Sequence, residues 1–459
     1  MAETLLVDAA VIGAGQAGPA LAVALARRGE KVVLIEGAQL GGSCVNVGCT
    51  PTKTLRKSAR VAHMARRASG FGVRVGTVEV DFAAAMARMQ QLVEASRGGL
   101  ESWIAGQAGI ELLRGWGSFT GRTANRFDLR AGDRRVSATR VYLNTGTRAF
   151  IPPIPGIEDV PYLDNVGLLQ LRSRPRHLVI IGGSYIGLEM GQIFRRLGSE
   201  ATVIETGPRI IAREDPEVSA CIAGFLGEEG VTVLAGQPVT RVEATGGGIA
   251  VQVGGRRVEG SHLLVATGRQ PNTERLNLAA AGVETDARGF VPTNDRLETN
   301  VPGIWALGDI NKRGAFTHTS YHDHEIVLAN HEGGARSTHQ RTMAYAMYTD
   351  PPLGRVGLSE AEARASGRRI LMATWDMKDV SRAKEEGETA GLIKLLVDAD
   401  SGRFVGAAVL GIGGDEVVQA ISNFMATGAS YRVMQQALPV HPTVTEFLPT
   451  VLGRLKPLA

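Results

Sequence analysis

The sequence predicts an α/β fold made of two Rossmann-like nucleotide-binding units and a C-terminal α+β domain. Two observations carry the first part of that expectation. A glycine-rich turn lies between an apolar strand-like run and an apolar helix-like run at Gly13-Ala14-Gly15-Gln16-Ala17-Gly18, and another at Gly182-Gly183-Ser184-Tyr185-Ile186-Gly187. Each is followed by a second apolar run ending on an acid, Glu36 and Glu205 respectively. A third observation sets the last part of the chain apart. Beyond about residue 341, strand-like and helix-like segments continue without another such turn.

Taken in order, a strand over 7–12 leads into the first turn, an alanine-rich helix runs to Arg28, and a strand over 31–35 ends on Glu36. Gly13 permits the tight turn, Gly15 lets a pyrophosphate approach the backbone, and Gly18 lets helix and strand pack closely. Glu36, about 20 residues on, is placed for a ribose hydroxyl. The second unit repeats the pattern with a strand over 177–181, a helix to Leu197 and a strand over 201–204 before Glu205. Ser184 replaces the middle glycine, crowding the phosphate slightly while offering a hydroxyl donor. Return strands are expected over 141–146 and 263–269. Two such units imply two nucleotides.

Ile151-Pro152-Pro153-Ile154-Pro155-Gly156 marks a hinge. The expected division is therefore 1–150 for the first nucleotide domain, 151–270 for the second, 271–340 for a return to the first, and 341–459 for the C-terminal domain. The return segment carries Gly303-Ile304-Trp305-Ala306-Leu307-Gly308-Asp309, a short buried strand ending in an acid. The last domain is read as strands over 391–397 and 405–410 with helices over 416–428 and 433–438.

Bulk properties exclude several classes. A chain of 459 residues exceeds one core, and 44% hydrophobic with 21% charged residues is ordinary for a globular protein. The net charge of +4 is spread along the chain, with only short clusters such as Arg56-Lys57 and Arg66-Arg67, so no nucleic-acid partner is expected. No apolar run is long enough to span a bilayer, so no membrane partner is expected. A strand starting so near Met1 leaves no room for a cleaved signal, and the few cysteines agree with a cytoplasmic location.

Of three cysteines, two stand close together in Gly41-Gly42-Ser43-Cys44-Val45-Asn46-Val47-Gly48-Cys49-Thr50-Pro51-Thr52-Lys53. A pair directly after a nucleotide-binding unit, where thiols are kept reduced, reads as electron transfer to or from a disulfide. Pro51 favours a first helical turn, and a helix from Pro51 to about Arg67 would put Cys49 at its positive end, lowering the thiol pKa. Lys53, one turn further, adds positive charge. Near the C-terminus, His441-Pro442-Thr443-Val444-Thr445-Glu446 offers a histidine, the natural acid–base near neutral pH, with a carboxylate to orient its ring.

Together and in this order, the motifs resemble the class I pyridine nucleotide-disulfide oxidoreductases, the family of dihydrolipoamide dehydrogenase, glutathione reductase and mercuric reductase, over nearly the whole chain. The resemblance implies FAD in the first unit and a nicotinamide coenzyme in the second. Gly13, Gly15, Gly18, Glu36 and Asp309 match FAD contacts, with Asp309 at the ribitol or pyrophosphate. Gly42, Lys53, Gly146, Gly182, Tyr185, Gly187, Glu205 and Gly268 complete the implied cofactor contacts. Cys49 matches the flavin-facing thiol and Cys44 the interchange thiol that attacks substrate. Lys53 matches a lysine paired with a glutamate, at Glu189, and Tyr185 an aromatic that covers the flavin's nicotinamide pocket. His441 and Glu446 match a pair that serves the disulfide of the partner subunit. A homodimer with an inter-subunit active site and a small thiol, disulfide or lipoyl substrate follows.

Glu205 favours NAD(H), since a carboxylate accepts from a ribose diol and repels a 2′-phosphate, while the nearby Arg209 and Arg213 leave NADP(H) open. Mercury reduction is disfavoured, because the end of the chain lacks the cysteine pair of mercuric reductases and His441 is kept, although Thr50-Pro51-Thr52-Lys53 and Arg382-Ala383 are similar to those enzymes. Thr52, where glutathione reductases carry a second lysine, and Glu205 lean toward dihydrolipoamide dehydrogenase. Phe316-Thr317-His318-Thr319-Ser320 departs from that pattern and looks more like stress-linked reductases. The expected activity is FAD-dependent, NAD(P)H-linked disulfide oxidoreduction of the dihydrolipoamide dehydrogenase kind. A stress-linked reductase of a metal ion, quinone or other oxidant is the alternative, and a docking subunit or redox sensor is less favoured. His318, His322, His324 and His331 cluster, but without a cysteine or second carboxylate no metal site is assigned. Cys221 is expected in the core, and Trp103 and Trp116 are expected to anchor packing in the first domain.

Overall fold

The apolar run Thr4–Ile12 becomes the central strand of a parallel sheet because it has two faces to bury. The parallel order is Ile110–Arg114, Val32–Glu36, Thr4–Ile12, Arg134–Leu143 and Ile304–Ala306. Ala9 and Val11 pack with Leu21, Ala22 and Leu25 of the helix Gly18–Ala26. Ala10 and Ile12 pack on the other face with Phe119, Leu129 and Leu143. Such two-sided burial produces the near-continuous apolar reading of a parallel strand. Each fully buried leucine contributes about 1.5–3 kcal/mol. The return strand begins at Arg134, earlier than the expected 141, because the antiparallel hairpin Gly117–Arg122 and Phe127–Ala131 pairs with its first half.

The computed structural model describes residues 4–458. This sheet belongs to a compact unit formed by Met1–Thr54, Ala84–Ile151 and Gly268–Arg341. Also in that unit, Thr147–Ala149 pairs antiparallel with Arg269–Pro271, so the second return strand, expected to 269, stops at Val265.

A second unit comprises Leu55–Ala83, Pro152–Thr267 and Thr342–Ala459. Its parallel sheet runs Val231–Ala235, Glu200–Glu205, His177–Ile181, His262–Val265 and Tyr162–Leu163. Its antiparallel sheet is six-stranded, in the order Ala344–Met347, Leu353–Gly357, Phe404–Leu410, Leu392–Asp398, Ile370–Asp376 and Lys456–Pro457. The helix Gly414–Ala426 covers that sheet, with Val417, Val418 and Ile421 buried against Val409 and Ile393. An antiparallel meander, Val239–Thr245, Gly248–Val253 and Arg256–Gly260, has no counterpart in the sequence expectations. Gly254 and Gly255, with φ of 53° and 78°, form the second of its two-residue turns, where both central residues need the left-handed region. Among the described residues, no helix is long and apolar enough to cross a membrane.

Three packing expectations are corrected. Cys221 is half-buried rather than in the core, because Ile222, Phe225 and Leu226 take the inward positions of the helix Pro216–Glu228. Trp103 and Trp116 anchor no core; they are 40% and 53% exposed. The Arg275 guanidinium lies 4.3 Å from the Trp116 ring centroid.

Candidate active site

The first glycine turn is shaped by what surrounds it. Gly13 has φ +104°, and a Cβ there would stand 2.3 Å from the Asn144 carbonyl oxygen. A Cβ on Gly18 would stand 2.1 Å from the Gly13 carbonyl oxygen, which is the close helix–strand approach the fingerprint requires. Asn144, which the sequence motifs did not single out, pins the turn. Its Oδ1 accepts from the Gly18 N–H at 3.0 Å and its Nδ2 donates to the Leu307 carbonyl at 2.9 Å. Glu36 accepts from the Ala14 and Ala38 N–H groups, both at 2.7 Å. A Cβ on Gly42 would come within 2.9 Å of the Gly15 Cα, so the cysteine segment lies directly against the turn. Gly146 accepts from the Asn272 N–H and Gly268 from the Phe150 N–H, both at 3.0 Å.

Cys44 lies on the short helix Gly42–Val47, and Cys49 is the first residue of the helix Cys49–Arg67. That helix starts ahead of the expected Pro51, since the Gly48 carbonyl accepts from the Thr52 N–H at 3.0 Å. Asn46 ties the loop down through its Nδ2, which donates to the Leu40 and Gly42 carbonyls at 2.8 and 3.0 Å. The two thiols are hydrogen-bonded to each other, and their ionisation divides unequally. Cys49 is pulled down to about 6, first by the hydrogen bond from Cys44, then against burial by the Thr317 hydroxyl and the Lys53 charge. Cys44 is pushed up by its bond to Cys49 and by burial, so it keeps its proton. The low Cys49 pKa matches the direction expected from the helix terminus, but its leading cause is the neighbouring thiol. Lys53 acts on both sulfurs by its charge.

Thr317 was missed as a site residue. Its Oγ1 is 3.2 Å from the Cys49 Sγ, and it opens the helix Thr317–His331. The only signal in the sequence was the departure of the 316–320 segment from the dehydrogenase pattern. Replacing Thr317 by alanine removes a hydrogen bond to the charged form, an effect on the order of 1.5 kcal/mol or about one pH unit. The Cys49 ionisation should then move from about 6 to about 7. The pH dependence of Cys49 alkylation by iodoacetamide in the reduced protein, followed on its peptide by mass spectrometry, measures this. An unmoved profile would remove Thr317 from the site.

Asp309 accepts from the Thr147 hydroxyl at 3.1 Å. Burial pushes its carboxyl above the usual range, against the nearby Arg269 guanidinium and the Thr147 hydroxyl.

The second unit carries the other glycine turn. A Cβ on Gly187 would stand 1.9 Å from the Gly182 carbonyl oxygen. Ser184 stands in the residue position just before the helix Tyr185–Arg196, with an extended backbone and no side-chain bond to the helix N–H groups. Glu205 accepts from the Gly183 and Gly207 N–H groups, both at 2.8 Å, which fixes its carboxylate at the strand end. Arg209 turns onto its own loop, donating to the Ala212 carbonyl at 3.0 Å. Glu189 is buried and accepts from the Tyr348 N–H at 2.8 Å. Lys53 stands in the first unit and Glu189 in the second.

His441 and Glu446 come together, with Nδ1 2.9 Å from Oε2 and 3.2 Å from Oε1. The imidazole is 74% exposed while the carboxylate is 13% exposed, so the glutamate is the fixed member. With Nδ1 engaged, Nε2 is the nitrogen left for chemistry. Leu438 and Val440, just before it, are 97% and 74% exposed.

The histidine cluster separates into unrelated contacts. His318 stacks on Phe316, His322 meets Arg336 at 3.0 Å, His324 meets its own helix at the Tyr321 carbonyl, and His331 bonds the Tyr142 hydroxyl at 2.8 Å. Among the described residues, no three histidine, cysteine or acidic groups are placed to hold a metal.

A nucleotide cradle set against a thiol–thiolate pair is the equipment of a dithiol–disulfide oxidoreductase that takes electrons through a bound cofactor. Comparison with known proteins gives the family. Residues 7–324 match the pyridine nucleotide-disulphide oxidoreductase model and residues 343–452 match the dimerisation domain of the same family. The chain belongs to the pyridine nucleotide-disulphide oxidoreductases, flavoenzymes that use FAD and NAD(P)H. It is 33% identical to the probable pyridine nucleotide-disulfide oxidoreductase RclA of Escherichia coli strain K12, over 98% of this chain and 99% of that one. It is 34% identical to a mercuric reductase of Streptomyces lividans, covering 95% and 93% of the two chains, and 33% identical to a dihydrolipoyl dehydrogenase of Thermus scotoductus, covering 96% and 95%. The solved structure of the HOCl-induced flavoprotein disulfide reductase RclA from Escherichia coli matches with a TM-score of 0.88 at 33% identity, over 98% of this chain and 100% of that one.

The residues present fit FAD. The cradle at Gly13 and Gly18 is one that a Cβ would fill, Glu36 sits at the strand end, and Asp309 brings a carboxyl, pushed up by burial, that accepts from the Thr147 hydroxyl.

Proposed function

We propose that this protein is an NADH-linked oxidoreductase of a small thiol or disulfide, lipoyl compounds included, with an active site shared between the two subunits of a homodimer. The observation that carries this reading is the placement of the cysteine pair, with Cys44 on the short helix that lies against the first glycine turn and Cys49 opening the helix Cys49–Arg67, its Sγ 3.2 Å from the Thr317 hydroxyl. Bound FAD supplies two-electron exchange between the nicotinamide and the cysteine pair. Cys49 is the flavin-side thiol, and Lys53 with Glu189 supports that side. Cys44 gives its proton to Nε2 of His441 from the second subunit, and its thiolate attacks one sulfur of the substrate disulfide. The S–S bond breaks, the leaving thiolate takes a proton from the imidazolium, and a mixed disulfide on Cys44 remains. The Cys49 thiolate then attacks the Cys44 sulfur, forming the Cys44–Cys49 disulfide and expelling the second substrate sulfur as a thiolate that takes its proton from solvent. Electrons from NADH return that disulfide to the dithiol.

Glu205 supports NAD(H), because its carboxylate is held at the strand end while Arg209 is engaged with its own loop. Tyr185 serves as the cover of the nicotinamide pocket. The site residues Gly15, Gly42, Gly146, Gly182, Gly187 and Gly268 serve as backbone contacts to the two nucleotides. We place the protein in the cytoplasm, without a nucleic-acid or membrane partner.

The test is oxidation of dihydrolipoamide by the purified flavoenzyme with NAD+. Rapid turnover assigns the dihydrolipoamide dehydrogenase activity. Reduction of the flavin by NADH without any dihydrolipoamide turnover rejects it and leaves a reductase of another oxidant. That second reading is favoured by the Phe316–Ser320 segment, where the Thr317 hydroxyl meets Cys49. It gains weight from a Cu(II) complex solved for Escherichia coli RclA, which is 32% identical to this chain. NADH consumption driven by copper(II) but by no disulfide would establish it.

A further inference from the structure

Glu214 was not among the residues the sequence singled out, yet it holds two phenols at once. Its Oε1 accepts from the Tyr185 hydroxyl at 3.2 Å and from the Tyr345 hydroxyl at 2.7 Å. Its Oε2 accepts from Nε and Nη2 of Arg355, at 2.9 and 2.7 Å. Arg355 is 2% exposed and also donates to Asp215 at 2.9 Å, so a Glu214 carboxylate that turned away would strip two hydrogen bonds from a buried cation. The two tyrosine rings lie 5.8 Å apart, and their hydroxyls are also within hydrogen-bonding reach of each other, so two phenol protons serve three oxygen–oxygen contacts. Tyr345 comes from the first strand of the antiparallel sheet, Ala344–Met347, and Tyr185 opens the helix that follows the second glycine turn. Burial, then the Glu214 charge, pushes the Tyr185 phenol up to about 12, so it remains a donor throughout the working range of pH.

We infer that Glu214 and Tyr345 are positioning residues that tether Tyr185 and thereby set how readily the nicotinamide ring gains its place. This rests on the reading that Tyr185 covers the nicotinamide pocket. Entry of the ring requires the tyrosine to move aside, and that movement breaks a hydrogen bond to a carboxylate held rigid by Arg355. A hydrogen bond to a charged group is among the stronger kinds, so the tether weakens nicotinamide binding measurably. It has no bearing on the adenosine and pyrophosphate half of the coenzyme, which the glycine turn and Glu205 receive.

Equilibrium binding separates the two halves. The oxidised holoenzyme is titrated calorimetrically with NAD+ and with ADP-ribose, which lacks only the nicotinamide ring. Tyr185→Phe keeps the ring and removes the tethered hydroxyl, and it should tighten NAD+ about three- to tenfold while ADP-ribose is unchanged. Tyr345→Phe should tighten NAD+ by a smaller factor, and should add nothing in the Tyr185→Phe background, because it acts only through that hydroxyl. A general disturbance of the unit would shift both ligands and would add across the pair. If Tyr185→Ala raises NAD+ affinity relative to ADP-ribose but Tyr185→Phe and Tyr345→Phe do not, the cover stands and the tether is overturned. If Tyr185→Ala also leaves the ratio unchanged, the covering role fails and the inference fails with it.

Discussion

Replacing Cys44 by serine will abolish NADH-dependent disulfide reduction, by roughly three orders of magnitude or more, while reduction of the bound flavin by NADH persists. Serine fills nearly the same volume and still donates a hydrogen bond toward Cys49, so the pocket and the low Cys49 ionisation are largely preserved. What is lost is the sulfur that forms the mixed disulfide. No other thiol replaces it. Cys49 bonds Thr317 at 3.2 Å, and burial on the helix Pro216–Glu228 pushes the Cys221 thiol up. Anaerobic stopped-flow mixing with NADH, beside steady-state assays with the same preparation, reads the two half-reactions separately. Persistent disulfide turnover in the variant would reject Cys44 as the interchange thiol. Loss of flavin reduction would show instead that the substitution had damaged the nucleotide site.

Much of this architecture was legible because it rests on local sequence. Gly18 must lack a Cβ because of the Gly13 carbonyl five residues before it, Gly13 sits in a turn at φ +104°, and the acids Glu36 and Glu205 end strands whose apolar runs announce them. His441 and Glu446 were also readable as a pair, since five positions separate them and one turn of chain brings them together. Thr317 and Asn144 were not. Their partners lie 268 and 126 positions away in sequence, and a threonine or asparagine carries no periodicity that marks it as a site residue. Glu214 and Tyr345, 131 positions apart, were hidden for the same reason. The misplaced tryptophans have a different cause. Size and hydrophobicity argue for burial, but Trp116 follows the edge strand Ile110–Arg114, where Arg275 covers its face in place of a core. The missed meander shows that short strands read weakly when glycine pairs interrupt them, although those same pairs specify the turns.

His441→Gln will lower kcat for disulfide reduction by about 10²–10⁴, the usual contribution of a positioned acid–base, with flavin reduction by NADH unchanged. Glu446→Gln will cost less, because the carboxylate holds the ring through Nδ1 and does not itself carry the proton. The exposed imidazole, preceded by the exposed Leu438 and Val440 in a stretch that matches a dimerisation domain, points to a second subunit as the place where it works. Mixed dimers decide this. A Cys44→Ser subunit keeps its histidine and a His441→Gln subunit keeps its cysteines, so a dimer of one with the other holds one intact site if the site is shared. With random association, half the dimers are hybrids and half of their sites are whole, giving about a quarter of wild-type activity from two inactive parents. Were both groups to act within one subunit, every site in the mixture would carry one lesion and no activity would return.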